Sequence, residues 1–248
     1  MTDADLPDLP DIALHLGDGR MLQLPCKRHP RARRIKLSID ERGPRLTLPM
    51  RASVRTAERF AQDHVAWLEA QLAHLAVDAP EPLRAGMTAT LPLRGELLPV
   101  RWIAGRVNRV TLADGELLFE RRGDSDAAIR RALRDFYEAQ ARSDVARWLP
   151  KYVAGLPRQP SRIALRKMSS QWGSLAPSGV VSLDLSLVLA RPSAFEYVLV
   201  HELCHLIRAD HSPAFWREVQ ARCPHWRHER TYFHAEGRAL KARLRALT

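Results

Sequence analysis

Lysine is scarce in this chain: 34 of its 39 basic residues are arginine, and the five lysines stand at 27, 36, 151, 167 and 241. Cysteine is scarce too. Cys26, Cys204 and Cys223 are odd in number, far apart and in no CxxC pair, which excludes a disulfide framework and suits a reducing cytoplasm. No run approaches the roughly 18 apolar residues that span a bilayer. The opening MTDADLPDLPDI has neither a basic n-region nor an apolar h-region, so a secretory signal is not expected, and residues 1–11 read as a loose tail. Walker-type glycine loops, carboxylate-rich Mg²⁺ sites, internal repeats and low-complexity tracts are all missing.

What is present is an ordinary globular composition, 46% hydrophobic and 27% charged, with a net charge of +11. Such charge has two sources. Clustered arginines bind phosphate, which makes nucleic acid a candidate partner through an Arg-rich surface. Coding bias also enriches arginine. Here the arginines are spread along the chain, which favours the second source. Nothing in the sequence sets the oligomeric state.

The periodicity predicts an α+β protein in two parts, a strand-rich domain over 12–124 with one helix and a helical domain over 125–248. Ile35, Leu37 and Ile39 alternate, Asp40–Pro44 is a turn cluster, and Leu46 and Leu48 alternate again, which predicts a hairpin. Phe60, Leu68, Leu72 and Leu75 predict one amphipathic helix between Ser53 and Val77. Strand patterns return at Leu91 and Leu93, Val100 and Trp102, and Leu117 and Phe119, the last after an Asp114-Gly115 turn. Beyond Ser125 the period becomes helical, through Ile129, Leu133, Phe136, Tyr137 and Trp148. Ile163 with Leu165, and Val181 with Leu183 and Leu185, predict two strands joined by the loop Ser169–Gly179. A capping box, Ser193-Ala-Phe-Glu196, then precedes an apolar helix.

That helix carries His201-Glu202-Leu203-Cys204-His205, an HExxH pattern. At about 100° per residue the two histidines lie about 40° apart, one turn along the axis, so both imidazoles reach one ion. Glu202 falls on the adjoining flank, where its carboxylate meets water instead of the ion. By composition the pattern arises by chance in about one such chain in fifty, so its surroundings matter. Val198, Leu199, Val200, Leu203, Leu206 and Ile207 make the rest of the helix apolar, and polar groups inside such a helix need a partner. His211 supplies a third ligand: Ser212 is a good N-cap and Pro213 a good first helical residue, so His211 sits in the turn between two helices. His225 and His228 are weaker alternatives.

Three segments in this order, Lys167-Met-Ser-Ser-Gln-Trp-Gly-Ser174, Tyr197-Val-Leu-Val-His-Glu-Leu-Cys-His-Leu206 and His211-Ser-Pro-Ala-Phe-Trp216, resemble the YgjP-like metallopeptidase domain family, related to the SprT-like and minimal zincin proteases. The resemblance covers 125–248 most clearly and is compatible with the N-terminal half. It implies a small zincin-like catalytic domain, an HExxH helix packed beside a small sheet, a third ligand from the HSxxFW segment, and an edge strand for extended substrate at residues 180–185. Within the loop this chain has Gln171 where the family usually has Arg, Leu175 for Cys and Asp184 for Asn.

The expected activity is a zinc metallopeptidase acting on protein or peptide, with Zn²⁺ on His201, His205 and His211 and Glu202 as general base. Trp172, Gly173 and Ser174 are the candidate substrate-binding residues, Trp172 reading first as a core-capping aromatic and second as substrate wall. Trp216, at helical spacing with Phe215 and Val219, reads as core. Tyr232, His225 and His234 are the candidate donors to a developing oxyanion. Two other readings compete: a metal-dependent nucleotide pyrophosphohydrolase, which arginines converging on the ion would favour, and a non-catalytic nucleic-acid- or protein-binding module with a closed four-ligand structural metal.

Overall fold

The computed structural model describes residues 9–40, 43–77 and 80–248. The expected tail over 1–11 falls mostly outside them. The chain divides into two compact units, Met1–Ala79 and Pro80–Thr248.

In the first unit β1 (Ile12–His15) pairs antiparallel with β2 (Met21–Leu24), and β5 (Gly43–Leu48) lies between β3 (Cys26–Arg28) and β4 (Lys36–Asp40). The predicted hairpin is β4–β5, in the register Leu37↔Leu46 and Asp40↔Gly43. The single expected helix is two, α1 (Val54–Asp63) and α2 (Val65–Val77). Ser53 caps the first through the Thr56 amide. The break falls at His64, whose ring stacks on Phe60 at 4.2 Å and whose Nδ1 donates to the Phe60 carbonyl at 2.8 Å. A side chain bonded back to the last turn competes with helix continuation, a local effect that apolar spacing does not report. Ile12, Leu14, Leu24, Leu46, Leu48, Ala57, Ala61 and Leu68 form this unit's core.

The second unit opens with a four-stranded sheet in the order β6-β7-β9-β8: β6 (Thr90–Leu93), β7 (Glu96–Ala104), β8 (Arg109–Ala113) and β9 (Glu116–Arg121). Two tight turns with consecutive positive φ close its hairpins, Asp114-Gly115 and Arg94-Gly95. The expected boundary near residue 124 is therefore displaced to 79/80. The physical reason is docking: the Arg94 and Gly95 amides donate to the Val188 and Leu189 carbonyls, and Leu91, Leu117 and Phe119 share one core with Leu133, Tyr137 and Leu187. The strands cannot bury their apolar face without the helices that follow.

α3 (Asp126–Trp148) and the short α4 (Pro150–Val153) lead to a second sheet. Its order is β10-β12-β11, with β10 (Arg162–Arg166) parallel and β11 (Gly173–Leu175) antiparallel to β12 (Val180–Asp184). β11 lies inside the expected loop and is too short for an alternation signal. β12 is the central strand, paired on both sides, so the edge expected at 180–185 is instead at β11. A 3-10 helix (Leu185–Leu189), α5 (Pro192–Cys204), α6 (Pro213–Arg222) and α7 (Trp226–Leu247) complete the unit. α5 packs beside β11 and β12 and against α6 and α7. The fold is mixed α and β, with the HExxH helix beside a small sheet, as expected. Among the described residues no helix is long and apolar enough to cross a membrane.

Candidate metal centre

α5 begins with Pro192 at its first helical position and makes no side-chain cap, so the expected capping box does not form. Proline needs no N–H there, and its fixed φ starts the helix before Ser193 can cap it. Glu196 turns outward instead and accepts from Lys151 Nζ at 3.0 Å and Tyr152 Oη at 2.8 Å. The helix is buried on nearly every side through Phe195, Tyr197–Val200 and Leu203, and it ends at His205, its C-cap. The turn that follows carries His211, and Ser212 caps α6 through the Phe215 amide with Pro213 next. Sequence reasoning placed all three elements correctly.

The imidazoles converge. One ring nitrogen from each of His201, His205 and His211 lies within 4.8 Å of the others. His211 Nε2 is 3.1 Å from His201 Nε2, a separation that two neutral rings tolerate only around a shared proton or a shared cation. His205 Nδ1 stands 3.1 Å from the Arg208 carbonyl. A carbonyl only accepts, so Nδ1 carries the proton and the Nε2 lone pair is free to ligate. His201 Nδ1 is buried without a hydrogen-bond partner. Burial, then the charges of His205, His211 and Arg230, push the His201 pKa down to about 3, and burial lowers that of His205. Ligating imidazoles must be neutral, and burial favours that form of His201 and His205. The donor set fits a divalent transition metal.

Glu202 is 5% exposed, and burial pushes its pKa up to about 8. It stands apart from the three-histidine cluster, and with the histidines it lines a cleft of about 810 Å³. Trp172, Gly173 and Ser174 line the same cleft from β11 and the turn before it. Phe215 packs against all three imidazoles, at 4.9, 4.5 and 4.9 Å between ring centroids, and is fully buried. Trp216 is only partly core: it stacks on Trp226 at 4.3 Å and reaches His201 and His211 at 5.7 and 5.9 Å.

Of the expected oxyanion donors only His234 lines the cleft. Tyr232 lies beneath the Arg191 guanidinium, 4.5 Å away, and His225 caps α7 on an exposed surface. His228 is exposed beside Arg191 Nη2 at 3.3 Å, so the weaker pair of alternative ligands is not brought to the site. Tyr197, Arg230 and Arg158 are among the lining residues that had not been anticipated. Tyr197 precedes His201 by four residues, and Arg230 precedes His234 by four. Helical spacing alone links each pair once one member is known. Arg158 comes from the turn before β10, and no periodic signal points to it.

A search of curated proteins returns no match. Among solved structures, the metallopeptidase zymogen abylysin of Pyrococcus abyssi aligns at 21% identity with a TM-score of 0.32, covering 41% of this chain and 96% of its own. The sequence model of the YgjP-like, metallopeptidase domain family matches residues 33–236, most of the chain and all of the histidine cluster with the cleft around it. The chain therefore belongs to the YgjP-like metallopeptidase domain family, and is a metal-dependent peptidase.

Proposed function

We propose that the protein is a zinc metallopeptidase in which His201, His205 and His211 hold Zn²⁺ and Glu202 is the general base. The observation that carries this reading is the convergence of three imidazole nitrogens within 4.8 Å on a cleft that Glu202 shares without joining the cluster. Three imidazoles lining an open cleft would fit a catalytic zinc site, whereas a structural one closes with four protein ligands. The bound ion supplies Lewis acidity, polarising a scissile carbonyl and acidifying water.

The chain's own groups do the rest. Glu202, held in an apolar flank, takes a proton from the attacking water and returns it to the leaving amine. Gly173–Leu175 is a sheet edge lining the cleft, where an extended peptide adds a strand by main-chain hydrogen bonds. Arg230 and His234, one turn apart on α7, face the same cleft and meet negative charge on the substrate oxygen. Three free cysteines accord with a cytoplasmic setting.

The test is elemental analysis beside peptide hydrolysis for wild type, Glu202→Gln and His211→Ala. About one zinc per chain in wild type and Glu202→Gln, with hydrolysis only in wild type and little zinc in His211→Ala, supports the assignment. Zinc unchanged in His211→Ala removes the third ligand.

A second reading, a nucleotide pyrophosphohydrolase, draws on one observation: Arg158 and Arg230 both line the cleft. Peptide hydrolysis leads, because among the described residues Glu202 is the single carboxylate lining that cleft and a Mg²⁺-nucleotide site calls for more. Release of pyrophosphate from a nucleoside triphosphate, without peptide cleavage, would reverse the order.

A further inference from the structure

Phe233, Gly237 and Lys241 are spaced by four residues along α7, so they share one face of that helix. All three meet Trp172. The Phe233 ring lies 4.5 Å from the indole, and Lys241 Nζ stands 4.6 Å over it. At Gly237 a β-carbon would come within 2.7 Å of Trp172 Cζ2, so the helix has a notch where the indole sits. Of this set, Trp172 and Phe233 line the cleft.

Lys241 is 8% exposed, which is costly for an ammonium group unless every donor is used. It donates to the Met168 and Gln171 carbonyls, both at 2.8 Å, and to Asp184 Oδ2 at 3.3 Å. An ammonium has three N–H groups, and these three acceptors consume them. Asp184, 2% exposed, takes the Met168 amide at 2.6 Å, and its own amide donates to the Trp172 carbonyl at 2.8 Å. Met168, Gln171 and Trp172 are thus each tied by their backbone to one buried ion pair. Among the described residues that pair makes no hydrogen bond to the three imidazoles. Its donors and acceptors act on the segment that carries Trp172 and Gly173.

We infer that Lys241 is a positioning residue for substrate binding: from α7 it clamps the 168–172 turn and holds Trp172 in the Gly237 notch as a fixed wall of the cleft. This deepens the peptidase reading and rests on it. A side chain held in place binds without losing freedom at the moment of binding, so the clamp acts on affinity for the substrate more than on the chemical step.

Two variants test it in the full-length, zinc-loaded protein. Lys241→Met removes the clamp. Gly237→Ala leaves the clamp but fills the notch, and its thermal melting beside wild type separates a displaced Trp172 from lost folding. We expect both to raise KM about tenfold or more for a peptide substrate, with kcat within about twofold and zinc content unchanged. Lys241→Arg, which keeps the charge and the donors, recovers part of the loss. Hydrogen exchange followed by mass spectrometry should quicken at 168–175 in Lys241→Met and stay as in wild type along α5. An unchanged KM in both variants, or unchanged exchange at 168–175, overturns the inference. A wild type that cleaves no peptide sinks the peptidase reading instead, and the exchange result then decides the clamp by itself.

Discussion

Gly173 stands so close to Glu202 that a β-carbon on it would lie 2.6 Å from both Cγ and Oε1 of the carboxylate side chain. The edge strand and the HExxH helix meet through this one missing methyl group. Gly173→Ala must therefore move either the strand or the glutamate. We expect peptide hydrolysis to fall about a hundredfold, the usual consequence of misplacing a reacting group by an ångström. Zinc content should stay near wild type, because the three atoms nearest that position all belong to Glu202. Full activity in Gly173→Ala would show that Glu202 has another place to go.

Arg230 has no carboxylate partner among the described residues, and its guanidinium lies 5.7 Å from the Trp216 ring that backs His201 and His211. If it meets negative charge in the transition state, Arg230→Gln lowers kcat by about 10²-fold with KM little changed. Arg230→Lys should recover part of that. A change confined to KM would make Arg230 a substrate-carboxylate contact, which is read by comparing peptides that differ only in one acidic residue.

Burial raises the Glu202 pKa to about 8. In the metal-free protein the folded state then holds a proton that the unfolded chain, with an ordinary glutamate, has released. The stability this contributes is complete below the unfolded value and is lost as pH rises through the folded one. His201, held down to about 3, works in the opposite direction, and its contribution is complete above the unfolded histidine value. The difference between wild type and Glu202→Gln isolates the first effect. Melting of both after chelation, from pH 5 to pH 9, should show wild type losing ground to Glu202→Gln as pH rises. Parallel profiles would mean that Glu202 is solvated.

Asp144 is 2% exposed on α3 and takes bonds from Arg94 Nε at 2.9 Å and Nη2 at 3.0 Å, with Arg147 Nη2 also at 3.0 Å. Arg94 comes from the β6–β7 turn at φ +53°, so one side chain fastens the first sheet of this unit to its long helix. Arg94→Leu should cost about 3 kcal/mol, because it leaves a buried carboxylate short of partners, and the deficit should appear in denaturant unfolding without loss of zinc binding. A change under about 0.5 kcal/mol would mean that Arg147 alone satisfies Asp144.

The histidine triad was legible in the linear chain because its logic is local. His201 and His205 are one helical turn apart, and Ser212-Pro213 sets the turn that carries His211, so spacing and capping chemistry suffice. The β4–β5 pairing and the Asp114-Gly115 hairpin were legible for the same reason, and so was the long helix from Asp126, while the turn residues 41 and 42 lie outside the described residues. The single helix expected over 53–77 failed at His64, where one side chain bonds back to Phe60. The strand Gly173–Leu175 failed because three residues carry no periodicity.

Only the tertiary structure decided what lies around the triad. Gly173 against Glu202, Gly237 against Trp172 and Lys241 on the Met168 and Gln171 carbonyls join residues 29 to 73 positions apart, and neither composition nor period encodes such approaches. The boundary between the two units belongs to the same class. It follows from which core the β6–β9 sheet is buried in, and burial is a property of the partner surface as much as of the strand. The sequence by itself determined the cluster of three histidines, because helix geometry places them; the folded chain decided the cleft, because packing between distant segments builds its walls.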